Sequence, residues 1–126
     1  MAVPTPKEEE TMTVRELVSV LNLENLTGDV NLERPVESGY TSDLLSDVIA
    51  HAGRNSVWIT VQRHINILGV AQLKEICAIV VPRNLPVEEG VIQKARTEGI
   101  AILRDHRSAF EISGILYNVL QKGGNG

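Results

Sequence analysis

VWITVQRHINILGVAQLKEICAIVVP, residues 57–82, sets two short β-branched runs on either side of a segment that is apolar nearly all round. VWITV, from Val57 to Val61, is too short for a helix and reads as a strand. Ile65 to Ile76 reads as a helix buried against a sheet or a partner. Ala78 to Val81 is a second strand, ended by Pro82. Both strands are continuous Val/Ile runs rather than alternations, as expected where a parallel sheet is covered on both faces.

The same rhythm extends in both directions. Downstream, Val87, Val91 and Ala95 fall at helical spacing with Gly99 as the stop, and Ile100 to Leu103 is the next strand. Ser108 and Glu111 form a capping box that opens a helix faced by Ile112, Ile115, Leu116 and Val119. Upstream, Val36 to Tyr40 is a strand. The helix after it would carry Leu44, Leu45, Val48, Ile49 and Ala52 on one face, with Gly53 as a left-handed cap. Thr13-Val-Arg-Glu16 is another capping box, before a helix faced by Val14, Leu17, Val18 and Leu21. Leu23 to Pro35 reads as a short edge strand and a loop around Thr-Gly-Asp.

Helices therefore separate the successive strands, and right-handed crossovers place helices on the two sides of the sheet. The expected fold is a three-layer α/β/α domain with a mostly parallel sheet of about four to five strands. It would occupy residues 13–121, with disordered tails at 1–12 and 122–126.

Composition narrows the function classes. The chain has 126 residues, 43% hydrophobic and 22% charged, which suits one globular domain. Aromatics are only 3% and the formal charge is −4. Neither stacking platforms nor a basic patch is offered, so nucleic acid is not an expected partner. Charges interrupt every apolar stretch before it could span a membrane. The acidic start MAVPTPKEEE has no apolar signal core, so a cytoplasmic location is expected. Cys77 is the only cysteine and sits in an apolar run, the pattern of a small buried core residue.

Several segments together resemble the DRTGG domain family. They are Thr13-Val-Arg-Glu-Leu, Glu33-Arg34, Val36-Glu-Ser-Gly-Tyr, Ser42-Asp-Leu-Leu-Ser-Asp47, Trp58-Ile-Thr-Val-Gln, His64-Ile-Asn-Ile and Ser108-Ala-Phe-Glu111. Glu33-Arg34 and Glu37-Ser38-Gly39 stand where that family has its Asp-Arg and Thr-Gly-Gly. The resemblance implies a fold similar to the N-terminal domain of HPr kinase/phosphorylase and, more remotely, to N-domains of Mur ligases. It also implies a regulatory or dimerising module of the kind found beside CBS domains in regulated pyrophosphatases. No catalytic residue is carried over with it.

The residues themselves argue the same way. There is no GxxxxGK[ST] loop to cradle phosphates, and no protein-kinase motif set. His51, His64, His106 and Cys77 form no metal-ligand spacing, so neither a metal nor a cofactor is expected. Ser42 and Ser108 are placed to cap helices rather than to act as nucleophiles. The remaining place for a ligand is the carboxyl edge of the strands, where helix N-termini converge. That edge would gather Gly39, Tyr40, Thr41, Ser42, Thr60, Gln62, Arg63, His64, Arg83, Arg104 and Ser108, a set suited to a small polar or anionic molecule. Self-association is also expected, with the Ile65–Ile76 helix meeting a second copy to make a homodimer. The sequence thus points to a non-catalytic regulatory module that dimerises and either senses a small metabolite or nucleotide or docks on a metabolic enzyme. The alternative is an accessory enzyme or phospho-acceptor related to HPr serine kinase, lacking its own phosphate loop.

Overall fold

The structure is a computed structural model that describes residues 11–124. In chain order the elements are α1 (Val14–Leu21), β1 (Glu24–Asn25), β2 (Ser38–Thr41), α2 (Leu45–His51), β3 (Ser56–Ile59), α3 (Ile67–Leu73), β4 (Ala78–Val81), α4 (Glu89–Glu98), β5 (Ile102–Arg104) and α5 (Ala109–Gly124). The strands form one sheet in the order β1-β5-β4-β3-β2. β2 through β5 are parallel neighbours, and β1 pairs antiparallel with β5 at the far edge.

Alternation along each buried strand splits the core in two. Val57 and Ile59 of β3 face one way, with Val14, Leu17, Leu21, Ile112 and Leu116 from α1 and α5. Trp58 faces the other, with Val48, Ile67, Leu68, Val91 and Ala95 from α2, α3 and α4. The three layers are therefore two helices, the sheet, and three helices. Because consecutive parallel strands are always neighbours, each right-handed crossover lands on the same face. Only α1 and α5 cover the other.

Local signals account for most of the boundaries. Thr13 accepts from the Glu16 amide while the Glu16 carboxylate accepts from Thr13, closing the first capping box. Ser108 and Glu111 do the same at α5. Gly99 ends α4 at φ +72, the left-handed conformation a glycine takes without strain.

Other expectations need correcting. Ala52, in extended conformation, ends α2, and Gly53 is not left-handed. Leu44 is 65% exposed and Ile49 is also on the surface, so this two-turn helix buries only Val48 fully and Leu45 in part. β2 begins at Ser38 rather than Val36, and α4 at Glu89 rather than Val87, after Glu88 in extended conformation. α5 runs to Gly124, beyond the expected end at residue 121. Met12 belongs to the ordered part, since its carbonyl accepts the Val36 amide at 2.7 Å. The rest of the expected N-terminal tail, up to residue 10, lies outside the described residues, as do residues 125–126.

Candidate functional site

Loops at the carboxyl edge of the sheet hold most of the polar residues singled out from the sequence, and most of them are engaged with one another. The Asp43 carboxylate accepts from the Thr60 hydroxyl and the Val61 amide, both at 2.9 Å. Gln62 donates its side-chain amide to the Asp43 carbonyl. Arg63 donates to the Val61 and Pro86 carbonyls, and Arg104 to the Glu24 carboxylate and the Leu85 carbonyl. The Glu24 pair holds that carboxyl below its ordinary pKa and the guanidinium above its own. His64 contacts the Asn66 amide oxygen at 3.1 Å.

Asp105 is buried and answered by Arg107, whose Nε lies 2.6 Å from the carboxylate and whose Nη2 donates to the Leu21 carbonyl. Backbone bonds from Arg83 to Arg107 and from Asn84 to Asp105 lash the 82–84 loop to the 105–107 loop. Arg83 itself is exposed, with no side-chain partner among the described residues. The rim is therefore a closed hydrogen-bond network rather than an open ring of donors. Ser42 also differs from expectation. Leu44, not Ser42, occupies the N-cap position of α2; the Ser42 hydroxyl accepts the Leu44 amide in the turn before it and also bonds the Asp47 carboxylate.

Topology supplies the reason for a closed rim. Ligand crevices of open α/β sheets form where strand order reverses and neighbouring helices part to opposite faces. Here β2 to β5 run in one direction without reversal.

Arg34 and Gly39, which lie in two of the segments that resemble the DRTGG family, have structural partners. Arg34 Nε donates to Asn55 Oδ1 at 2.7 Å and Nη2 to the Glu75 carbonyl at 2.8 Å. Asn55 and Glu75 are both left-handed, at φ 59 and 53, so the guanidinium fork pins two strained turns at the amino edge of the sheet. At Gly39 an added Cβ would lie 2.7 Å from Leu116 Cδ2. Glycine is there because α5 crosses β2 at close range. Tyr40 points to the opposite face and donates its hydroxyl to Asp47 at 2.7 Å, and His51 meets the same carboxylate at 3.2 Å. These partners lower the Asp47 pKa, with Tyr40 the largest cause, while the Tyr40 phenol is raised by Asp47. Burial pushes the Cys77 thiol up to about 12, which keeps it protonated and inert. No group of three or more potential metal ligands occurs among the described residues.

An apolar concavity lies elsewhere, on the flank of α5 beside β2. It is a cleft of about 370 Å³ walled by Gly39, Thr41, Ile59, Phe110, Ser113, Gly114, Leu116, Tyr117 and Leu120. No charged residue lines it. The Thr41 and Ser113 hydroxyls share a hydrogen bond at 2.7 Å across its wall. Phe110 is 88% exposed and Tyr117 68%. Of the eleven residues proposed from the sequence, only Gly39 and Thr41 belong to this cleft. A single hint was available: the chain's one phenylalanine and one of its two tyrosines stand seven residues apart, off the apolar face of the last helix.

The helix expected to meet a second copy is largely buried within the chain. Ile67, Leu68, Val70, Ala71 and Ile76 are buried within the chain, leaving Ile65 and Leu73 outward near opposite ends. Among the described residues, no helix is long and apolar enough to cross a membrane.

No protein-family profile and no curated protein matches the chain. Among solved structures it is similar to the CBS and DRTGG domains of the regulatory region of Clostridium perfringens pyrophosphatase, complexed with its activator diadenosine tetraphosphate. The TM-score is 0.68 at 11% identity, covering 96% of this chain and 51% of that one, so this chain spans about half the length of that neighbour. At such identity the likeness shows the fold: a mostly parallel α/β/α domain of the kind found in that regulatory region.

Proposed function

We propose that this chain is a non-catalytic regulatory module of the DRTGG type, working by association with a second copy and by docking on a metabolic enzyme. One contrast carries the reading. The polar residues that chemistry would need are committed to each other around the sheet edge, whereas the uncharged cleft with its two exposed aromatics is open. Apolar surface flanked by aromatics is the anatomy of a contact surface. Light scattering on the purified chain tests it, and a mass of 13.8 kDa at high micromolar concentration overturns the self-association. Incorporation of labelled phosphate that is lost on Ser42→Ala or Ser108→Ala would instead favour an accessory enzyme or phospho-acceptor.

A second reading, nucleotide sensing, is favoured by the activator bound to the similar regulatory region and by the unpartnered Arg83 on the rim. A nucleotide that binds only the folded state at a hundredfold its Kd adds about 2.7 kcal/mol of stability. A thermal-shift series with mono- and dinucleotides detects this, and no shift with any of them removes the sensing role.

A further inference from the structure

We infer that the homodimer forms through the α5–β2 cleft, with Phe110 of each copy entering the cleft of the other. This rests on the self-association proposed above and gives it a surface. Three observations select a second copy as the occupant. First, knob and hole lie on one face: Phe110 is 88% exposed at the margin of the cleft it helps to wall. A two-fold axis makes such a face complementary to itself. Second, the chain carries a formal charge of −4, yet no charged side chain lines this cleft. Across a two-fold each charge meets its own kind, so a neutral patch in an acidic chain is where two copies approach without repulsion.

Third, the area suffices. Phe110 and Tyr117 lie two turns apart on α5, about 10 Å along its axis, with Ser113 and Gly114 between them. Gly114 has nothing within 4 Å of where a Cβ would stand, so α5 can be approached closely there. Two α5 helices crossing antiparallel at Gly114 bury both aromatics of both copies. Each buried aromatic covers about 150–250 Å². With the cleft walls added, this reaches the ~1,000 Å² that a specific interface needs. Among the described residues β2 is the terminal strand of the sheet, so its outer edge runs beside the same patch.

The test is sedimentation equilibrium on the full chain, with circular dichroism to confirm folding. The wild type is expected at twice 13.8 kDa. Phe110→Asp should weaken association about 100-fold or more, as loss of a central aromatic anchor does. Gly114→Lys places a side chain in space that is open in the single chain, so it should fold normally and remain monomeric. Leu73→Asp, on the exposed end of α3, should dimerise as the wild type does. Dimers of undiminished affinity in both Phe110→Asp and Gly114→Lys overturn this interface. Loss of the dimer in Leu73→Asp alone also overturns it, moving the contact to α3 while leaving the module reading intact. A monomeric wild type overturns the self-association itself.

Discussion

Replacing Gly39 by alanine separates a packing role from a ligand role. The new methyl carbon would stand 2.7 Å from Leu116 Cδ2, about 1 Å inside ordinary carbon–carbon contact. Leu116 is buried at 3% exposure among Ile112, Ile59 and Val57, so its side chain yields only by leaving its contacts in that cluster for the cleft it walls. Overpacking of this size costs about 1–3 kcal/mol. The φ of Gly39 is not in the left-handed region, so alanine is not strained there and restricts the unfolded chain, returning about 0.4–1 kcal/mol. The clash wins, leaving a net loss of about 1–2 kcal/mol. For a domain of this size that corresponds to a fall in Tm of roughly 4–10 °C. Leu116→Ala alone should cost about 2–5 kcal/mol through the cavity it leaves. In the double variant the methyl added at position 39 occupies part of that cavity, so the two losses should fall short of their sum by about 1 kcal/mol or more. Urea titration followed by Trp58 fluorescence reads all four proteins, since Trp58 is the only tryptophan and is fully buried. Wild-type stability in Gly39→Ala, or strict additivity in the double variant, would refute the close crossing of α5 over β2.

Arg34→Lys keeps the charge but cannot reach both Asn55 Oδ1 and the Glu75 carbonyl, and it should lose about 1–3 kcal/mol in the same titration. An unchanged midpoint would show that the fork does not hold the two left-handed turns. Glu111 should give stability a pH dependence of known sign. Its carboxyl accepts the Ser108 amide, the largest cause holding it below 4.5, so its contribution is complete above that value and fades as pH falls through the folded-state value. The Tm advantage of wild type over Glu111→Gln should therefore be constant from pH 7 down to about pH 5 and shrink below pH 4.5. A gap that widens on acidification would falsify the capping assignment.

The fold was legible wherever its cause is local. The β-branched runs at β3 and β4, the two capping boxes and Gly99 each act within a few residues, and each stands within two residues of its expected place, β3 running from Ser56 to Ile59 rather than Val57 to Val61. Burial of the Ile65–Ile76 segment was legible too, but not what buries it. An apolar helix looks the same whether its second face meets α2 or another molecule, and here α2 packs beside it. Leu44 and Ile49 misled for a related reason: a two-turn helix with the correct period need not turn all of its apolar residues inward. The pairing along the rim was not legible because it is made by residues far apart in sequence. Asp43 meets Thr60, and Arg104 meets Glu24 eighty positions away. Every parallel sheet gathers polar residues at that edge, and only the pairing decides whether they are free.

One topological fact explains both the closed rim and the open cleft. The parallel strands advance in one direction, so α2, α3 and α4 must all lie on one face, and the opposite face has only α1 and α5 to cover it. α5 leaves β5 and comes back across the sheet to pack on β3 and the terminal strand β2. It can settle there only because position 39 has no side chain. Among the described residues, no element packs on the side of α5 away from the sheet, the side that bears Phe110, Gly114 and Tyr117. In the similar regulatory domain the same fold sits within a chain about twice as long. The outer flank of α5 is consequently a surface on which association can bury exposed aromatic area without breaking a hydrogen bond already made.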